Sequence, residues 1–331
     1  MRQVSGQVDP VSAMLQIARS QLRADRPRTV SAYTLHDSQR IGFRAFLESP
    51  DFCGLTLSPA VAAIADASEG TPVTLPTELC RSVFGCSADI LPRRALRKVL
   101  IRAGGRAGKT SRLMAPKAAH AAWTVPLPDL RRGEVARSLL IAPDKDLAAQ
   151  VLSFVKGYIA GSKILRAALI DPPKDDDDDD IGTAERVALR RPDGCLVEIA
   201  IKAATRGGKG ARSRTLVFAG LDEAEFFYAD DGYTVTDKVI YDAAIQRVVP
   251  GGQVWLASTA WVESLGVLER QIEENFGKHE TGLAAIGGTR LLNPNWDPTG
   301  EIEAEMRAED PDNAAREIDA IPFAAGTKVF F

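Results

Sequence analysis

Short, wholly apolar runs recur through the middle of the chain, each ending at a small, polar or turn-forming residue. Val99-Leu100-Ile101, Leu139-Leu140-Ile141-Ala142, Leu216-Val217-Phe218-Ala219-Gly220-Leu221 and Val254-Trp255-Leu256-Ala257 contain no polar side chain. Runs of this length without alternation fit strands covered on both faces, as parallel strands are. Between them the pattern changes to a helical one. Pro143-Asp144 opens an amphipathic stretch to about Ile159 with Asp144 as N-cap, and a helix is expected from Lys109 on. Another helix is expected from about Val235 to Val248, leading through Pro250-Gly251-Gly252 into the next strand. Strand, loop, helix and strand in that order predict a parallel sheet with crossovers. One hairpin is expected, because Val187-Ala188-Leu189 and Leu196-Val197-Glu198-Ile199 flank the turn sequence Pro192-Asp193-Gly194. Nearer the start the helix-like patterns are shorter, as at Ser12 to Ala18 and Val61 to Ala65, and no internal repeat is present. The expected architecture is α/β. Residues 1–92 form a helical N-terminal appendage packing on the core, residues 93–290 a core with a mostly parallel central sheet, and residues 291–331 a helical C-terminal tail.

Composition narrows the class. With 331 residues and 45% hydrophobic content the chain can bury a large core. Cys53, Cys80, Cys86 and Cys195 have no C-x-x-C spacing, which predicts free thiols in a reducing compartment. No stretch approaches the roughly 20 apolar residues of a membrane span, so a cytosolic protein without a membrane partner is expected.

The net charge of −3 becomes +3 once the six carboxylates of Asp175 to Asp180 are set aside. Self-repulsion predicts a solvated loop for that acidic run, the other reading being a cation site, which needs ligands at fixed angles. Arg93, Arg94, Arg97, Lys98, Arg102, Arg106, Lys109, Arg112 and Lys117 follow one another without an Asp or Glu between them. A second basic stretch holds Lys202, Arg206, Lys209, Arg212 and Arg214. Both suit a polyanionic ligand.

The first basic stretch contains Ala103-Gly104-Gly105-Arg106-Ala107-Gly108-Lys109-Thr110-Ser111. Glycines there permit a tight turn whose N–H groups point inward, Lys109 can reach β- and γ-phosphates, and the Thr110 hydroxyl can ligate Mg²⁺. The pattern G-x-x-x-x-G-K-[ST] is broken only by Ala103. Arg106 can donate to γ-phosphoryl oxygens as charge builds up, or pair with a nearby carboxylate. The second signal is the buried run ending at Asp222-Glu223. At the tip of a central strand, Asp222 can hold the metal and Glu223 can take a proton from water, or the pair can begin a helix. Ser258-Thr259 at the tip of the next strand can sit beside Glu223 and sense the γ-phosphate, or cap a helix starting near Glu263. Phe84 is a candidate for stacking on a base, although an aromatic among apolar residues is usually core. Together the two segments predict an ATPase with ATP and Mg²⁺ as cofactors.

Read together, Gly104 to Ser111, Asp222-Glu223, Ser258-Thr259 and Leu292-Asn293-Pro294 resemble the ATPase portion of the large terminase subunit of tailed bacteriophages, over about residues 40 to 331. Leu140 to Pro143 and Ala148 to Val151 are similar to its second strand and helix. The resemblance implies a P-loop fold of the helicase- or RecA-like, additional-strand type. It implies that Gly104, Gly105, Arg106, Ala107, Gly108, Lys109, Thr110 and Ser111 hold nucleotide, that Thr110 and Asp222 hold Mg²⁺, and that Glu223, Arg106 and Lys109 are catalytic. Ser258 and Thr259 would be the coupling motif, and Arg206, Arg212 or Arg214 an arginine acting in trans or a DNA contact. The implied partners are double-stranded DNA, the portal and the small terminase subunit, with a ring oligomer on the portal or a monomer in isolation, in the host cytoplasm at the procapsid portal. The end at Phe330-Phe331 implies a motor half without its nuclease half. A nucleotide-gated DNA-binding switch, another P-loop ATPase and a small-molecule P-loop kinase are the other readings.

Overall fold

Successive side chains of a strand point to opposite faces, and here that alternation separates two apolar clusters. Val99, Ile101, Leu140, Val217 and Trp255 belong to one, while Leu100, Leu139, Leu216, Val254 and Leu256 belong to the other. The structure, a computed structural model, describes residues 36–131, 133–170, 181–204, 215–227, 237–263 and 266–324.

Helices α1 (Phe43–Glu48), α2 (Pro59–Ser68) and α3 (Thr77–Phe84) precede the sheet. Ser58 caps α2 by accepting from Val61 N, and α3 ends at Gly85 with φ 75°. Phe43, Phe46, Leu47, Ile64 and Phe84 bury themselves in the cluster of Ile101 and Trp255. Phe84 is thus core, packed edge-on against His279. Strand β1 (Lys98–Ala103) is followed by a wide helical turn, Lys109–Met114, and by α4 (Ala115–Thr124). In that turn Ala115 N reaches back to Thr110 O, one residue further than in an α-helix, and Pro116 next to it has no N–H to donate. Then come β2 (Ala136–Ala142), α5 (Lys145–Gly161), capped by Asp144 as expected, and α6 (Lys163–Ala167). The expected hairpin is present as β3 (Arg186–Arg190) and β4 (Leu196–Ala203). Next are β5 (Leu216–Asp222), α7 (Asp237–Ile245), β6 (Val248–Ser258), α8 (Val267–Asn275) and β7 (Leu283–Gly287). A tail of α9 (Thr289–Leu292), α10 (Glu301–Glu309) and α11 (Pro311–Asp319) follows.

The strands form one sheet in the order β3-β4-β2-β5-β6-β1-β7, parallel throughout except for β3. Two boundaries differ from the sequence reading. Strand β6 begins at Val248 rather than Val254, so Pro250-Gly251-Gly252 lies within it instead of leading into it. The pairing jumps from Leu216↔Val248 to Phe218↔Gln253, and the intervening residues bulge past Val217. A side chain at Gly252 would stand 2.4 Å from Val217 O, so this bulge needs glycine. The helix before it accordingly stops at Ile245 rather than Val248. Strand β7, which the sequence reading did not single out, completes the sheet beside β1. Ser12 to Ala18, Asp175 to Asp180 and Phe330-Phe331 lie outside the described residues. No described helix is long and apolar enough to cross a membrane.

Candidate active site

Strand order assembles the site. Because β6 lies between β1 and β5, with Arg102 paired to Ser258 and Asp222 to Ala257, three carboxyl ends reach the same level. That edge is where open parallel sheets bind ligands. The phosphate-cradle sequence leaves β1 there, the two acids leave β5, and Ser258-Thr259 leaves the strand between them.

Lys109 is 7% exposed, and its ammonium lies 2.7 Å from Glu223 Oε1 while donating to Thr259 Oγ1 at 2.9 Å. Thr110 Oγ1 donates to Asp222 Oδ2 at 2.7 Å. The other oxygen of Glu223 accepts from Ser258 Oγ at 3.2 Å and from Thr259 N at 3.1 Å. Glu223 holds a left-handed backbone, φ 52°, which is costly for a residue with a Cβ and is the kind of strain found at functional sites. It turns the Glu223 side chain toward Lys109 and β6, away from the continuation of β5.

Six of the residues singled out in the sequence, Lys109, Thr110, Asp222, Glu223, Ser258 and Thr259, therefore meet at one place. Ser258 and Thr259 do not cap the next helix. Helix α8 begins at Val267 behind Gly266, which offers no side-chain cap. Ala103 is buried at the end of β1, and Gly104 is needed where it stands, since a Cβ there would lie 2.3 Å from Thr289 Oγ1. Gly105 N donates to Glu317 O at 2.5 Å, Gly108 turns the loop into the helix with φ 85°, and Ala107 is buried. Ser111 accepts through its carbonyl from Tyr158 Oη at 2.6 Å. Arg106 is exposed, and no carboxylate among the described residues pairs with it. Arg206, Arg212 and Arg214 lie outside the described residues.

Electrostatics single out Asp222. Burial first, and then the adjacent Glu223 carboxylate, push it well above the usual carboxylate range, against the pull of Thr110 and Lys109. Its Oδ1 is buried without a hydrogen-bond partner. A hard divalent cation takes oxygen ligands, and this orphaned oxygen beside a hydroxyl is a donor set that fits one.

Behind the site, α8 and the turn after β5 share a second pair of buried acids. Glu225 accepts from Glu269 N at 3.3 Å, and Glu269 pairs with Arg102 at 2.6 Å. Glu225 Oε2 and Glu269 Oε1 are left without partners. Burial and then Glu269 raise Glu225 from 4.5 to about 7, so the folded chain keeps a proton that the unfolded chain releases. The stability tied to this proton is full below about pH 4.5 and is lost as pH rises through 7. Glu225→Gln keeps an acceptor for Glu269 N and brings a donor. It should raise the unfolding free energy at pH 8 by on the order of 2 kcal/mol, and by much less at pH 5, in denaturant titrations at both values.

A cavity of about 900 Å³ lined by Pro126, Leu127, Leu130, Thr215 and Val249 lies at the other end of the strands and belongs to no part of this site.

No protein-family model matches the chain, and no curated protein sequence matches it. Solved structures do. The large terminase of a thermophilic bacteriophage is 10% identical at TM-score 0.50, over 80% of this chain and 53% of that one. The same protein in complex with ADP is 11% identical at TM-score 0.50 over the same shares. The large terminase ATPase domain of Thermus phage P74-26 is 17% identical at TM-score 0.42, over 69% of this chain and 90% of that one. The chain thus spans about half the length of the thermophilic phage terminase it matches. With β6 as the additional strand between the cradle strand and the carboxylate strand, the chain has a P-loop fold of the kind found in that phage large terminase.

Proposed function

We propose that the chain is the ATP-hydrolysing motor domain of a phage DNA-packaging terminase, with residues 93–290 as the ATPase core between a helical appendage, 1–92, and a tail, 291–331. One observation carries this reading. Lys109 and Thr110 on the glycine loop reach Glu223 and Asp222 on the tip of β5, across β6, so phosphate-, metal- and water-handling groups meet at one place. Lys109 has three N–H donors and spends two on Glu223 and Thr259, which leaves one for a β- or γ-phosphate oxygen. Thr110 and Asp222 Oδ2 and Oδ1 would hold Mg²⁺, which supplies charge neutralisation on the phosphates. Glu223 takes a proton from the attacking water as the water oxygen bonds to the γ-phosphorus and the bond to the β–γ bridging oxygen breaks. Arg106, exposed on the loop, adds positive charge where the γ-phosphoryl group becomes more negative.

Thr259 touches the cradle lysine and the base at once, which is the position of a coupling residue. Two residues on, Trp261 O accepts from Phe323 N at 2.8 Å, so a shift at Ser258-Thr259 passes directly to the tail. DNA would be gripped through its phosphates, independent of sequence, by basic segments such as Arg206, Arg212 and Arg214. The portal, a small terminase subunit and a ring of copies at the procapsid portal in the host cytoplasm complete the proposal.

Phosphate release from ATP with Mg²⁺ and no acceptor tests the reading. Turnover that DNA stimulates, with stimulation falling steeply as salt rises, is expected. Turnover that appears only with a small-molecule acceptor would make the chain a kinase instead.

A further inference from the structure

Thr289 at the start of α9 and Asn293 just past its end hold carbonyl groups of the glycine loop. Thr289 Oγ1 donates to Gly105 O at 2.6 Å, and Asn293 Nδ2 donates to Arg106 O at 3.0 Å. Thr289 is fully buried, and only the missing Cβ of Gly104 lets its hydroxyl come so close. Asn293 is half-buried at the end of α9, and its Oδ1 has no partner. The loop needs such restraint. Arg106 stands at φ 59°, a backbone that residues with a Cβ adopt reluctantly, between two glycines before it and one after.

In a planar trans peptide the carbonyl and the N–H that follows it point in opposite directions. Tying Gly105 O to Thr289 therefore turns Arg106 N–H away from the tail. Tying Arg106 O to Asn293 does the same for Ala107 N–H, whose described contact is a long 3.4 Å turn bond to Gly104 O. Successive N–H groups turned to one side of a loop are what binds an anion.

We propose that Thr289 and Asn293 are positioning residues for the polyphosphate: they fix the peptide planes 105–106 and 106–107 so that the N–H groups of Arg106 and Ala107 face the ligand. This deepens the nucleotide-binding reading and rests on it. Helix α9 and the residue after it are then part of the nucleotide site, and the first glycine of the loop, Gly104, admits Thr289.

The test is calorimetric titration of the full chain with ADP and, separately, with pyrophosphate, for the parent, Asn293→Ala, Thr289→Val and Thr289→Ser. Asn293→Ala and Thr289→Val should each weaken ADP about tenfold and pyrophosphate by the same factor. Thr289→Ser, which keeps the hydroxyl, should stay within about twofold of the parent. The Asn293 side chain sits at a half-buried helix end, so Asn293→Ala decides the matter even where Thr289→Val does not fold. Parent-like affinity for both ligands in Asn293→Ala overturns the positioning role and leaves the nucleotide reading intact. A full loss in Thr289→Ser overturns the role of its hydroxyl. A parent chain that binds neither ADP nor pyrophosphate overturns both readings together.

Discussion

Glu223→Gln should lower ATP turnover by about 10³-fold while ADP binding stays within about threefold of the parent. The substitution keeps the volume and one oxygen. It removes the negative charge, so the side chain can no longer accept a proton from water. Binding should survive because the proposal assigns phosphate affinity to the loop and to Lys109, which loses a competing anion when Glu223 is neutralised. Asp222 should also titrate closer to the usual carboxylate range, since the neighbouring charge is the second cause of its upward shift after burial. Phosphate-release assays paired with ADP titration check both halves. An unchanged rate would place the base elsewhere, and a rate lost together with binding would make Glu223 part of the cradle rather than the base.

The two segments that meet at this site were legible because each is set by local rules. A glycine turn followed by Lys-Thr needs no partner to declare itself, and a wholly apolar run ending in two acids marks a buried strand tip. That Ser258-Thr259 reaches Glu223 followed from assuming that successive strands are neighbours, and β5 and β6 do pair. The choice between sensing and capping was not legible, because it depends on where α8 starts and which way the strained Glu223 turns. Pro250-Gly251-Gly252 misled because such residues usually punctuate strands, whereas here they make a bulge that only Val217 across the ladder explains. Glu225 reads as one more acid in an acidic stretch. It is buried because Gly266, which has no side chain, packs against its carboxylate. Asn293 stood out only within Leu292-Asn293-Pro294 and Thr289 not at all, since what they bind is backbone far away in sequence. Pattern singles out the residues that meet at the strand tips, while the residues that hold their loop belong to the tertiary fold.

Lys109→Met should weaken ADP by at least about 100-fold, ~2.7 kcal/mol, because it deletes the buried cation that the proposed mechanism sets against the phosphates and keeps the apolar stem. It should also destabilise the fold, for a reason that has nothing to do with nucleotide. Lys109 is the cation paired with Glu223, and it holds down the acidity shift of Asp222, so its loss leaves two carboxylates facing each other in a largely buried site. Leaving buried charge unpaired costs about 3–5 kcal/mol when desolvation is complete, and the 23% exposure of the Glu223 side chain discounts this to ~2 kcal/mol. The sign of the pH dependence follows. Carboxyl groups whose folded pKa is raised are accommodated when protonated and become costly as pH rises through that value, so the difference between Lys109→Met and the parent should be largest near pH 8 and shrink toward pH 5. Denaturant midpoints at both pH values, measured without nucleotide, separate this effect from lost binding. A variant with parent-like ADP affinity would remove Lys109 from the phosphate site, and one whose stability deficit grows toward acid would mean that its buried partner is not a carboxylate.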